Sequence, residues 1–153
     1  TTPYAPPGVE ASITNTATIT GDTITPVTAQ ETVAAQVTPV LSIAKAVAPV
    51  PVAENGRLTY TFDIQNTGNA PVTAADAAII SDAFSPILRD LTVTYNGAAW
   101  AQGTDYTYDA AGNFATVAGK LLVPAAVYTQ DTQTGAWTVT PGTGTLTVSG
   151  TIV

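Results

Sequence analysis

Apolar and polar positions alternate with a period of two along most of the chain, which predicts strands rather than helices. Residues 11–20, ASITNTATIT, place Ala11, Ile13, Ala17 and Ile19 on one face, interrupted by Asn15, with Ser12, Thr14, Thr16, Thr18 and Thr20 on the other. This strand stands outside the domain that follows it and needs a sheet to join. Gly21-Asp22 is a turn signal. The stretch 23–37, TITPVTAQETVAAQV, is extended, interrupted by Pro26 and followed by Pro39, and reads as a strand or as a linker. Thr and Val around VAAQ, and a proline on either side, argue against a stable helix there.

From Val40 the strands become short and regular. LSIAKAV sets Leu41, Ile43, Lys45 and Val47 on one face, RLTYTFDIQN sets Leu58, Tyr60, Phe62, Ile64 and Asn66, and LTVTYNG sets Leu91, Val93 and Tyr95. Asn55-Gly56, Thr67-Gly68-Asn69, Asn96-Gly97 and Ala111-Gly112-Asn113 are turn sequences between them. DYTYD, FATVA, KLLVP, AWTVTP and TLTVSGTIV supply later strands. The expectation is an all-β, immunoglobulin-like β-sandwich over 40–153, preceded over 1–39 by a leader, a donor strand and a connector. The Cys–Trp–Cys signature of immunoglobulin domains is missing, so the likeness is one of architecture.

Composition narrows the function. The 153 residues have room for one domain and an extension, and they include no Cys, His or Met. Disulfides, the commonest zinc and copper ligands and the usual general base are therefore all unavailable. A net charge of -7 repels a phosphate backbone, which excludes nucleic acid as partner. Low charge with abundant Thr, Ala and Val suits an extracellular or cell-surface β protein. No apolar run reaches the about 18 residues of a membrane span. No signal peptide opens the chain, so Thr1 reads as a processed end, and the proline-rich TTPYAPPGVE as an extended leader.

Residues 40–72, VLSIAKAVAPVPVAENGRLTYTFDIQNTGNAPV, resemble the opening of the conserved-repeat domain of unknown function eleven. A strand carrying Lys45, a turn at Gly56 and the alternating segment from Tyr60 to Gly68 are the similar elements, with Asp82 in AAIISDAF matching the family's following aspartate. The tail GAWTVTPGTGTLTVSGTIV is similar to its closing strands. In tandem members a repeat closes on a strand like ITNTATVTG, and here the matching segment, Ile13 to Gly21, precedes the domain. The resemblance implies a bacterial or archaeal surface or fibre protein, structural or adhesive, with a closing strand displaced to where it completes a neighbouring subunit.

The displaced strand then donates Ala11, Ile13, Asn15, Ala17 and Ile19 to a bare acceptor edge at Leu146, Val148 and Ile152 of the next copy, forming an extracellular homopolymeric filament. Three alternatives stay open: folding back onto the same chain, a piece of a longer tandem protein, and a monomeric adhesion or spacer module with a surface or carbohydrate ligand. Lys45 on an apolar face, with Asn66 and Asp82, is a candidate isopeptide trio, weighed against a lysine that snorkels or pairs with a carboxylate. Asp105, Asp109 and Asn113 are candidate calcium ligands, weighed against solvated turn carboxylates. Trp100, Tyr106, Tyr108 and Tyr128 form either a carbohydrate patch or core and cross-strand pairs. No nucleophile–base pair, phosphate loop or metal cluster is evident, so the expectation is no enzyme, cofactor or metal.

Overall fold

The alternation is realised as strands along most of its length in the computed structural model, which describes residues 12–34 and 37–153. In chain order these are β1 (Ser12–Gly21), β2 (Ile24–Ala34), β3 (Leu41–Ala48), β4 (Arg57–Asn66), β5 (Ser81–Ala83), β6 (Leu88–Tyr95), β7 (Ala98–Trp100), β8 (Tyr106–Tyr108), β9 (Asn113–Thr116), β10 (Val127–Gln130), β11 (Trp137–Thr140) and β12 (Gly142–Ile152). A 3-10 turn covers Ala74–Asp76.

A five-stranded sheet, in the order β3-β4-β12-β6-β7, packs on a three-stranded sheet in the order β5-β9-β8. The β-sandwich core lies between them. Inward positions of β4 (Leu58, Tyr60, Phe62, Ile64), β12 (Leu146, Val148) and β6 (Val93, Tyr95) meet Phe84, Tyr106 and Phe114 from the smaller sheet's side. Tyr60 stacks on Phe84 at 4.6 Å between ring centres, and Tyr106 on Phe114 at 5.4 Å. Asn96 and Gly97 both take positive φ, the conformation that a tight two-residue hairpin between β6 and β7 requires.

Three sequence expectations change here. KLLVP is no strand: Leu121 and Val123 are buried, but the segment contributes one isolated bridge, Val123 to Val72. Strict alternation fails in β6, where Leu88 and Val93 both point into the core although their parity differs. A register shift opposite Ser149/Thr151 and the left-handed Asp90 (φ 54°) absorb the extra residue as a bulge. The terminal strand is no edge. β12 pairs antiparallel with β4 along one side and with β6 along the other, and Leu146 and Val148 are fully buried.

Glycine at alternate positions makes that central strand possible. A Cβ on Gly144 would stand 2.1 Å from the Tyr95 hydroxyl oxygen, so its absence lets Tyr95 donate to the Leu122 carbonyl at 2.6 Å.

Candidate functional site

β1 and β2 form an antiparallel hairpin of their own, with pairs running from Ser12↔Ala34 to Ile19↔Val27. The segment left open between strand and linker is therefore a strand, despite Pro26 at the irregular end near the turn. What the sequence presents as a single spare strand is a spare hairpin. No strand of the sandwich pairs with it among the described residues. Register places Ala17, Ile19, Val27, Ala29 and Val33 on one face, with Asn15↔Glu31 as the polar pair in the middle. Ile19 is 64% exposed, Val27 60% and Val33 66%. Backbone register sets Ile13 opposite Val33; Ala11 and the leader lie outside the described residues.

An isolated two-stranded hairpin is marginal in water. Here its apolar face is uncovered as well.

The sandwich has a matching deficiency, away from where the sequence placed it. Leu146, Val148 and Ile152 cannot accept a donor strand, because β4 and β6 already occupy the two sides of β12. Of the two edges of the larger sheet, β7 and β3, the one with an apolar face is β3, which pairs with β4 alone. Its predicted apolar face is intact but uncovered: Leu41, Ile43 and Val47 are all exposed. Across the seam stands the Ala78–Ile80 segment leading into β5, with Ile79 57% exposed. Ile64 and Leu121 form the floor of the resulting groove. Sequence alternation identifies Leu41 and Ile43 as apolar-faced but carries no sign that the face lacks a cover.

Lys45 sits midway along this edge. Its ammonium pairs with Asp82 of β5 across the seam, so that the buried Asp82 Oδ2 has a cationic partner, and lies 4.7 Å from the centre of the Tyr60 ring. Pairing with a carboxylate is the alternative realised. The isopeptide trio is not assembled: Phe62 is the cross-strand neighbour of Lys45, and Asn66 lies four positions along β4. At about 3.3 Å per residue that is about 13 Å, beyond a lysine's reach.

Asn66 has another use. Its Oδ1 accepts from the N–H groups of Val40 (3.0 Å) and Gly68 (2.9 Å), and its Nδ2 donates to the carbonyls of Ala70 (2.7 Å) and Pro124 (3.0 Å). Fully buried, it clamps the corner where the chain enters β3. Thr38 N–H donates to Asn69 Oδ1, and Gly68 is so close to Thr38 that a Cβ there would meet its carbonyl oxygen at 2.2 Å.

The other candidates resolve into structure. Asp105 accepts from Ala101 N–H and pairs with Lys120, while Asp109 accepts from the Ala111 and Asn113 N–H groups and the Asn113 amide. These hydrogen bonds hold both carboxyls below the ordinary 3.8. No cluster of three metal-ligating side chains forms among the described residues. The aromatic patch is dispersed: Tyr106 is buried, Tyr108 hydrogen-bonds Leu88 through its hydroxyl, Trp100 packs on Tyr95, and Tyr128 donates to the Thr67 carbonyl. No helix among the described residues is long and apolar enough to cross a membrane. Comparison with protein-family models gives no match, and comparisons with curated proteins and with solved structures give none either.

Proposed function

We propose that this chain is the structural subunit of an extracellular homopolymeric filament, an immunoglobulin-like sandwich whose N-terminal hairpin completes the next copy by donor-strand exchange. One observation carries the reading: Ile19, Val27 and Val33 on the hairpin's apolar face are exposed while a sheet edge of the same chain lies uncovered. Added strands satisfy main-chain groups through a new ladder and place alternate side chains in pockets. Donor and acceptor are different surfaces, so the contact is heterologous and propagates. The resemblance to a repeat family of surface and fibre proteins points the same way.

Negative-stain electron microscopy of the protein beside a chain lacking residues 1–34 tests the reading. Filaments in the first sample and dispersed particles in the second are the expected pair. Uniform small particles in both would instead favour a monomeric adhesion or spacer module.

A further inference from the structure

We infer that the seat for the hairpin is the seam between β3 and the segment 78–83, occupied in the assembly by the β1–β2 hairpin of a second copy. The inference rests on the filament reading and names its receiving surface. The two surfaces match in outline: each is an extended apolar stripe with one charge at its middle. On β3 the sequence along the stripe is Ile43, Lys45, Val47; on β2 it is Ala29, Glu31, Val33. Lys45 keeps 42% of its side chain exposed while paired with Asp82, so its ammonium has donors left for a second carboxylate.

β3 also offers a free row of main-chain groups, since β4 takes only one side. A hairpin added there sets its stripe across from Ile79 and over the floor of Ile64 and Leu121. The chain's own hairpin leaves this seam open. Among the described residues β1 and β2 pair with each other alone, and Leu41, Ile43 and Ile79 stay exposed.

The test uses two full-length variants altered only at exposed positions. Ile43→Asp/Ile79→Asp spoils the seam and keeps the hairpin; Ile19→Asp/Val27→Asp spoils the hairpin and keeps the seam. Circular dichroism melts check that both retain the fold. Sedimentation velocity should show polymer for the native chain, monomer for each variant alone, and a one-to-one dimer when the two are mixed. Glu31→Lys should lower the polymer fraction at a given concentration at least tenfold. If the seam variant polymerises like the native chain while the hairpin variant does not, donor-strand assembly stands and this seat is wrong. If both variants polymerise, or the native chain is a monomer at every concentration, the filament reading falls as well.

Discussion

Replacing Asn66 by alanine removes four hydrogen bonds from a fully buried side chain without touching the apolar core. A typical net hydrogen bond contributes about 0.5–1.5 kcal/mol, and a buried donor left unpaired costs about 1–3 kcal/mol. The partners differ in what they can recover. Val40 and Pro124 belong to exposed residues and regain water, whereas Gly68 is buried and its N–H does not. The expected loss is about 4 kcal/mol, a large fraction of a total of about 5–15 kcal/mol. For a domain of this size that lowers the melting temperature by roughly 15 °C. Calorimetry together with urea unfolding at unchanged m-value measures it. Asn66→Asp should cost at least as much at neutral pH, because a carboxylate would face the Ala70 and Pro124 carbonyls that now accept from an amide. A loss below about 1 kcal/mol for alanine would refute the clamp, and would mean that ladder bonds such as Thr67 N–H to the Val40 carbonyl hold the corner unaided.

Gly144→Ala should destabilise by about 1–3 kcal/mol through overpacking against the Tyr95 hydroxyl, and Tyr95→Phe should recover part of that loss in a double-mutant cycle; strictly additive effects would remove the steric explanation. Intact mass spectrometry should give the mass of the unmodified sequence, since Lys45 and Asn66 are apart; a species lighter by one ammonia would show an isopeptide bond after all. Stability should fall in acid. Asp76, Asp105, Asp109 and Asp131 all have folded-state values lowered by hydrogen bonds from the ordinary 3.8, so their contribution is present above that value and lost as pH drops through the lowered ones. Melting temperatures level above about pH 5 and falling below about pH 4 are expected; a maximum in acid would contradict the sign. For the proposed filament, added salt should speed growth in light scattering, because each arriving subunit would carry a net charge of -7 and the Debye length shrinks from about 30 Å at 0.01 M to about 8 Å at 0.15 M. Slower growth would mean that local attraction, not net repulsion, governs the approach.

Legibility in the sequence followed the range of the interaction. Turns and face alternation are local, and both Asn96-Gly97 and the inward row from Leu58 to Asn66 stand where their spacing places them. Pairing partners are not local. TLTVSGTIV alternates in the same way whether it lies at an edge or between β4 and β6, and its alternation cannot distinguish the two. The better indicator was Gly142, Gly144 and Gly150, small residues at positions where neighbours approach too closely for a Cβ. Leu88 was hidden by the bulge at Asp90, which reverses parity within one strand. β2 was ambiguous because Pro26 lowers strand propensity, and pairing with β1 outweighs that penalty along most of the hairpin. The sequence groups Lys45 with Asp82, but only tertiary placement distinguishes an ion pair across a seam from a covalent trio.

In the proposed assembly, the two charges set within apolar stripes bear on which contact the subunits select. An exposed sheet edge invites indiscriminate pairing, and a charge on its inward face is one means of discouraging it. Two β3 edges approaching each other around a two-fold axis would bring Lys45 toward Lys45, and two hairpins packing stripe to stripe would bring Glu31 toward Glu31. Both of those pairings join a surface to itself and close into a dimer; Glu31 meets Glu31 with nothing to offset it, and Lys45 meets Lys45 with each ammonium offset in part by its own Asp82. Hairpin on β3 is the combination that brings opposite charges together, and it is also the one that leaves a free hairpin at one end and a free seam at the other. On this argument Lys45 and Glu31 contribute less to affinity than to the choice between a dead-end dimer and a growing filament. Neutralising both, as Lys45→Met with Glu31→Gln, and with Asp82→Asn so that no buried carboxylate is left without its cation, should therefore preserve association while shifting material from polymer to closed dimers, and an unchanged ratio of polymer to dimer would show that the charges play no part in that choice.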